Sequence, residues 1–130
     1  MTRLPDDRVA DLLARWPVAR LATLGSDGRV HQVPVVFACT EGPVLWSPVD
    51  GKPKSGAELA RVRNVRANAD VSLLLDDYDP DWSRLWWLRI EARARVIRPA
   101  ERDADPRVAA ALDALSTNAT AIEPAIPISD

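Results

Sequence analysis

The stretch Leu88–Val96 limits the fold more than any other part of the chain. Leu88, Ile90, Ala92, Ala94 and Val96 alternate with Arg89, Glu91, Arg93 and Arg95. A period of two puts the apolar set on one face of a strand and the charged set on the other. A strand of that kind belongs to a sheet with one buried and one wet face. Two hairpin signals lie upstream within about 30 residues, Gly25–Arg29 with its Asp27-Gly28 pair and Thr40–Pro43. Closely spaced hairpins exclude a doubly wound parallel sheet and favour an antiparallel one. The expected fold is mainly β with helices, a small β-barrel whose ends the helices plug and whose closure leaves few edges.

The rest of the chain supplies the elements. Val9, Leu12, Leu13 and Trp16 fall on one face of a helix over 5–16, with Pro5 in its first turn, Asp6 and Asp7 at the positive end of its dipole, and Pro17 as its stop. Strands are expected at 18–24, 30–39, 44–49, 70–76 and 85–98. Pro34 lacks an amide hydrogen and assigns the second strand to an edge or a bulge. Helices are expected at 56–68, on Leu59, Val62 and Val65, and at 100–116. The tail from 117, with two prolines, is expected either to hold one extended segment around 121–128 or to be disordered. No repeat or linker divides the 130 residues, so one domain over 1–130 is expected.

Composition narrows the function. Seventeen Lys and Arg against nineteen Asp and Glu give a net charge of -2, which argues against a nucleic-acid binder. A single cysteine, Cys39, excludes an intrachain disulfide framework, and no 18-residue apolar run suggests a membrane span. With no apolar run behind the first residues, a cytoplasmic location is the expectation. His31 is the only histidine, which excludes a multi-imidazole metal site within one chain. Cys39 lies eight residues beyond it, roughly 25 Å along an unbroken strand, too far for a nucleophilic pair. Asp76, Asp77, Asp79 and Asp81 lack the glycine and final glutamate of a calcium loop and read as a solvated turn.

Two features remain. Lys52 and Lys54, the only lysines, precede a helix, and Ser55 and Glu58 have capping-box spacing. That corner suits a phosphate or carboxylate, although a solvated turn with ordinary surface lysines reads equally simply. Tyr78, Trp82, Trp86 and Trp87 form an aromatic group. Adjacent residues on a strand face opposite ways, so one of Trp86 and Trp87 is expected outside the core. An anion corner and aromatic surface without an acid–base or nucleophilic set fit a protein whose cofactor carries the chemistry.

In order and spacing, Ala19-Arg20-Leu21-Ala22-Thr23, His31–Val36, Lys52-Pro53-Lys54, Arg63–Asn68, Val71–Leu75 and Tyr78–Trp82 running into Leu85-Trp86-Trp87 resemble the pyridoxamine 5'-phosphate oxidase-like split-barrel proteins. More narrowly they resemble the actinobacterial branch of coenzyme F420-dependent oxidoreductases. The resemblance implies an FMN-binding-protein-like split barrel and a homodimer with two cofactor sites across its interface. It implies coenzyme F420, or alternatively flavin mononucleotide (FMN), and a small unsaturated or quinone-like substrate; the alternative outside catalysis is a flavin- or haem-binding dimer, with His31 the only imidazole in the sequence available for iron. Lys52, Lys54 and Ser55, with Asn64, would hold the phosphate. The ring would lie along Pro34 and Val35, near Trp46 and Ser47, and the second subunit's Trp87 would help close the site. The chain departs from that pattern at Ser55, where arginine is common. It departs again over 117–130, which match the family's last barrel strand poorly, so a divergent or truncated end and an imperfectly closed barrel are expected.

Overall fold

A computed structural model describes residues 4–40, 43–49, 60–97, 106 and 118–124, with residues 48–49 and 118–124 described by backbone alone. Helix α1 (Asp6–Arg15) is followed by strands β1 (Val18–Leu24), β2 (Val30–Val36), β3 (Ala38–Thr40) and β4 (Val44–Val49). Helix α2 (Ala60–Ala67) then leads to β5 (Asp70–Asp77), β6 (Trp86–Val96) and β7 (Asn118–Pro124). The seven strands form one sheet in the order β2-β1-β5-β6-β7-β4-β3, every pair antiparallel. Its two ends, β2 and β3, are joined through Phe37 alone, and β2 touches β4, so the sheet curls into a barrel.

The expected alternation decides which way each strand faces. Leu88, Ile90, Ala92 and Ala94 of β6 are buried with Val71, Leu73 and Leu75 of β5, Ala19 and Leu21 of β1, Val35 of β2 and Leu45 of β4. The helix α1 closes one end with Leu12 and Leu13. Trp16 meets Trp86 edge to face at 4.7 Å, and the Arg8 guanidinium lies 5.9 Å from the Trp86 ring. At the other end α2 buries Val62 and Val65. The β1–β2 turn closes as its sequence dictates. Gly28 takes φ +82, a conformation that costs glycine little, and Asp27 accepts the Arg29 N–H at 3.0 Å.

Two expectations change. The strand expected over 30–39 is two strands that part at Phe37, which lets the chain leave the β1 ladder and pair with β4. Cys39 and His31 therefore do not share a strand. Of the two readings of the tail, the extended segment is the one present, but its described part, Asn118–Pro124, begins before 121 and runs between β6 and β4, which gives seven strands among the described residues. Residues 125–128, the expected start of the second helix at 56 and, apart from residue 106, the helix expected over 100–116 lie outside the described residues.

Candidate functional site

The barrel has one open seam. Among the described residues β2 pairs only with β1, while β4 pairs with β3 as far as Trp46 and continues along β7 to Val49. Past Trp46, then, β4 runs beside β2 with no ladder between them. Ser47 sits on this stretch. Alternation puts it on the same inner face as Leu45, and it is 2% exposed. Its Oγ is buried with no hydrogen-bond partner among the described residues. A buried hydroxyl left unpaired costs free energy that a partner at the seam would recover. Trp46 faces the opposite way, buried, with its indole N–H donating to Thr40 Oγ1 at 2.7 Å.

The other expected site residues fall into three places. Val35 points inward and is buried, so its side chain serves the core and only its backbone faces the seam. Pro34 and Trp87 are on the outer face, exposed and half-buried respectively. They stand on β2 and β6, three strand spacings or about 14 Å apart, so one chain cannot press both against the same atoms of a ring. Asn64 is on α2, and its Nδ2 donates to Thr23 Oγ1 of β1 at 3.0 Å. Thr23 is buried and faces the interior, so this bond pins the helix to the barrel end. Lys52, Lys54 and Ser55 lie outside the described residues.

His31 follows the β1–β2 turn, where an exposed or interface position is the expectation, yet it faces inward opposite Thr23, half-buried, and its Nδ1 is buried with no hydrogen-bond partner among the described residues. The signal was its parity with Val33 and Val35. Cys39 is half-buried, and desolvation holds its thiol pKa above the usual 9.0. That makes it a poor nucleophile, as a core role requires. Among the described residues no group of three or more His, Cys, Asp and Glu gathers where it could hold a metal ion, and no helix is long and apolar enough to cross a membrane.

Comparison with known proteins gives a family and a fold. Residues 5–127 match the family model described as pyridoxamine 5'-phosphate oxidase. No curated protein matches the chain. Among solved structures, an FAD-binding protein from Mesorhizobium loti is similar at TM-score 0.72 and 18% identity, over 98% of this chain and 94% of that one. The FAD-binding protein from Mycobacterium smegmatis is similar at TM-score 0.68 and 21% identity, over 99% and 95%. A heme storage protein from Vibrio cholerae shares the fold at TM-score 0.66 and 11% identity, over 95% and 92%.

Proposed function

The chain belongs to the pyridoxamine 5'-phosphate oxidase family, and on that premise we propose that it is a homodimeric, flavin-type oxidoreductase whose cofactor, coenzyme F420, lies at the β2–β4 seam. The observation that carries the reading is Ser47: a buried hydroxyl at the unladdered seam, able to donate and accept, with no partner among the described residues. A tricyclic ring with polar edges suits that atom. Two solved structures of similar fold, from Mesorhizobium loti and Mycobacterium smegmatis, are FAD-binding proteins, which supports the reading.

When bound, reduced coenzyme F420 supplies a hydride to a small unsaturated or quinone-like substrate. The protein's part is binding and placement. Ser47 would hold a polar ring edge and the backbone of Pro34 and Val35 would line its side. Lys52 and Lys54, with Ser55, would neutralise the phosphate, since ammonium groups beside a helix start suit an anion. The outward position of Trp87, too far from Pro34 within one chain, is the reason for placing a second copy at the site. Coenzyme F420 is favoured over FMN because α2 follows the lysine segment with Arg61, Arg63 and Arg66. This cationic surface suits the anionic glutamate tail that FMN lacks.

Parallel titrations with coenzyme F420 and FMN, at low salt and at about 0.5 M salt, where screening reaches only a few Å, test the assignment. Coenzyme F420 is expected to bind more tightly at low salt, with an advantage that shrinks as salt rises. Tighter, stoichiometric binding of FMN at both salt concentrations overturns it. A Soret band in the purified protein would instead assign the site to haem. Lys52→Ala and Lys54→Ala should each weaken binding roughly tenfold to a hundredfold, from the ~1.5–3 kcal/mol of a charge-assisted contact.

A further inference from the structure

Strand β4 is held in two different ways along its length. Val44–Trp46 pair with β3, and Leu45–Val49 pair with β7. Past Trp46 the other flank of β4 is the seam. Among the described residues, then, β7 is the only strand paired with Ser47, Pro48 and Val49. Ser47 stands in register with Thr120, and the buried Oγ without a partner among the described residues belongs to this stretch. The place of one wall of the seam is therefore set by β7.

Strand β7 is itself weakly specified. It reads Asn118-Ala119-Thr120-Ala121-Ile122-Glu123-Pro124, in which only Thr120 and Ile122 are strand-forming types. It meets β4 and β6 over five positions each, whereas β5 buries Val71, Leu73 and Leu75 and pairs with β6 over eight. Each ladder of β7 also includes a proline, which has no amide hydrogen: Pro48 opposite Ala119, and Pro124 opposite Ala92. Local opening of a folded chain begins where ladders are short and poorly supported.

Its departure would leave the flanking strands unequally placed. Strand β6 keeps its whole ladder with β5, and Val44–Trp46 keep β3. Ser47–Val49 keep no ladder among the described residues. The cost of ordering that stretch is shared between β7 and whatever occupies the seam, because each finds it already ordered when the other is in place.

We propose that β7 docks and undocks as a unit on a barrel that otherwise stays folded, and that its docking and occupation of the seam at Ser47 favour each other. The inference rests on the seam being the ligand site proposed above. It adds a positioning strand that reaches the ligand through β4, and a coupling that runs both ways.

The test is hydrogen exchange of the full chain, followed amide by amide by NMR, with coenzyme F420 and FMN as separate probes. In the free protein the amides of Ala119–Glu123 are expected to exchange faster than those of Leu73 and Ile90. Equal protection overturns independent docking. With a probe at about a hundred times its dissociation constant, exchange in β7 is expected to slow by up to about a hundredfold, because opening then waits on release of the probe. A probe that binds and leaves β7 exchange unchanged overturns the coupling while the ligand site stands. Failure of both probes to bind removes the ligand site and the coupling with it. Ala121→Pro takes an amide hydrogen from the middle of a strand paired on both sides. It is expected to weaken probe binding at least tenfold while Leu73 and Ile90 stay protected. Unchanged affinity with β7 exchanging freely overturns the coupling, and loss of protection at Leu73 and Ile90 as well overturns independent docking.

Discussion

Replacing Asn64 with alanine tests whether one hydrogen bond fixes α2 on the barrel. Its Nδ2 donates to Thr23 Oγ1 at 3.0 Å, and Thr23 is 3% exposed. Losing the bond costs about 1 kcal/mol, and stranding the buried Thr23 hydroxyl costs about 1–3 kcal/mol more. The one inward group directly across the ladder is His31, whose buried Nδ1 has no partner among the described residues, and a bond from it to Thr23 would bring the loss toward the lower end. Alanine returns roughly 0.5 kcal/mol through its better helix propensity. The expected net loss is about 1.5–3.5 kcal/mol, a fall of about 1–2 M in the urea midpoint for a domain of this size. Thr23→Val removes the hydroxyl while keeping the shape. In that background Asn64→Ala has nothing left to strand and should be almost neutral, a coupling of about 1.5–3.5 kcal/mol. Urea melts of the four proteins, at one fixed protein concentration because of the proposed dimer, measure the cycle. Equal losses from Asn64→Ala in both backgrounds would refute the reasoning and reduce the bond to a bystander.

Other perturbations probe the seam, the core and the thiol. Ser47→Ala removes a hydroxyl that no described residue satisfies, so the cofactor-free protein should melt at the same temperature or higher while cofactor affinity falls. A marked destabilisation without cofactor would show that Ser47 has a structural partner. Trp86→Ala empties a site buried against Trp16 and should cost about 3–5 kcal/mol in urea melts; a loss below about 1 kcal/mol would remove Trp86 from the core. Cys39 has its folded pKa raised by burial, so its contribution to stability is complete below the unfolded pKa and is lost as pH rises from there through the folded pKa. Stability should therefore fall above about pH 9, less so in Cys39→Ala, and alkylation at neutral pH should be much slower in the folded than in the urea-unfolded protein. Identical alkylation rates would mean the thiol is open to solvent.

How far the sequence could be read depends on how local the signal was. The β6 alternation, the Asp27-Gly28 turn and the proline stop of α1 are decided by neighbours in sequence, and each appears at its expected place. Pro34 on an edge strand follows from a missing amide hydrogen in the same way. The break at Phe37 has no local punctuation, because it comes from the need to move the chain from one end of the sheet to the other. The segment 118–124 is poor in strand-forming residues, and its ladder with β4 and β6 is a tertiary effect that overrides weak propensity. The site was the least legible part. Residue types pointed to an anion corner, but which face each strand shows depends on register, so the inward turn of Val35 and Ser47 and the outward turn of Pro34 and Trp87 emerge only with the barrel.

The position of β7 has a consequence for how the molecule comes into being. Among the described residues, the strand translated last is inserted between two that were made before it. Until residues 118–124 emerge, β6 and β4 each expose a row of unpaired amides, and the chain is two partial sheets rather than a closed one. Closure has to wait for contacts of long sequence separation, because Leu45 must find Ile122. During synthesis the nascent chain therefore carries two adhesive borders until residues 118–124 have left the ribosome. A ribosome that stalls shortly before Asn118 would release a product prone to stick to its own kind rather than a merely weakened barrel.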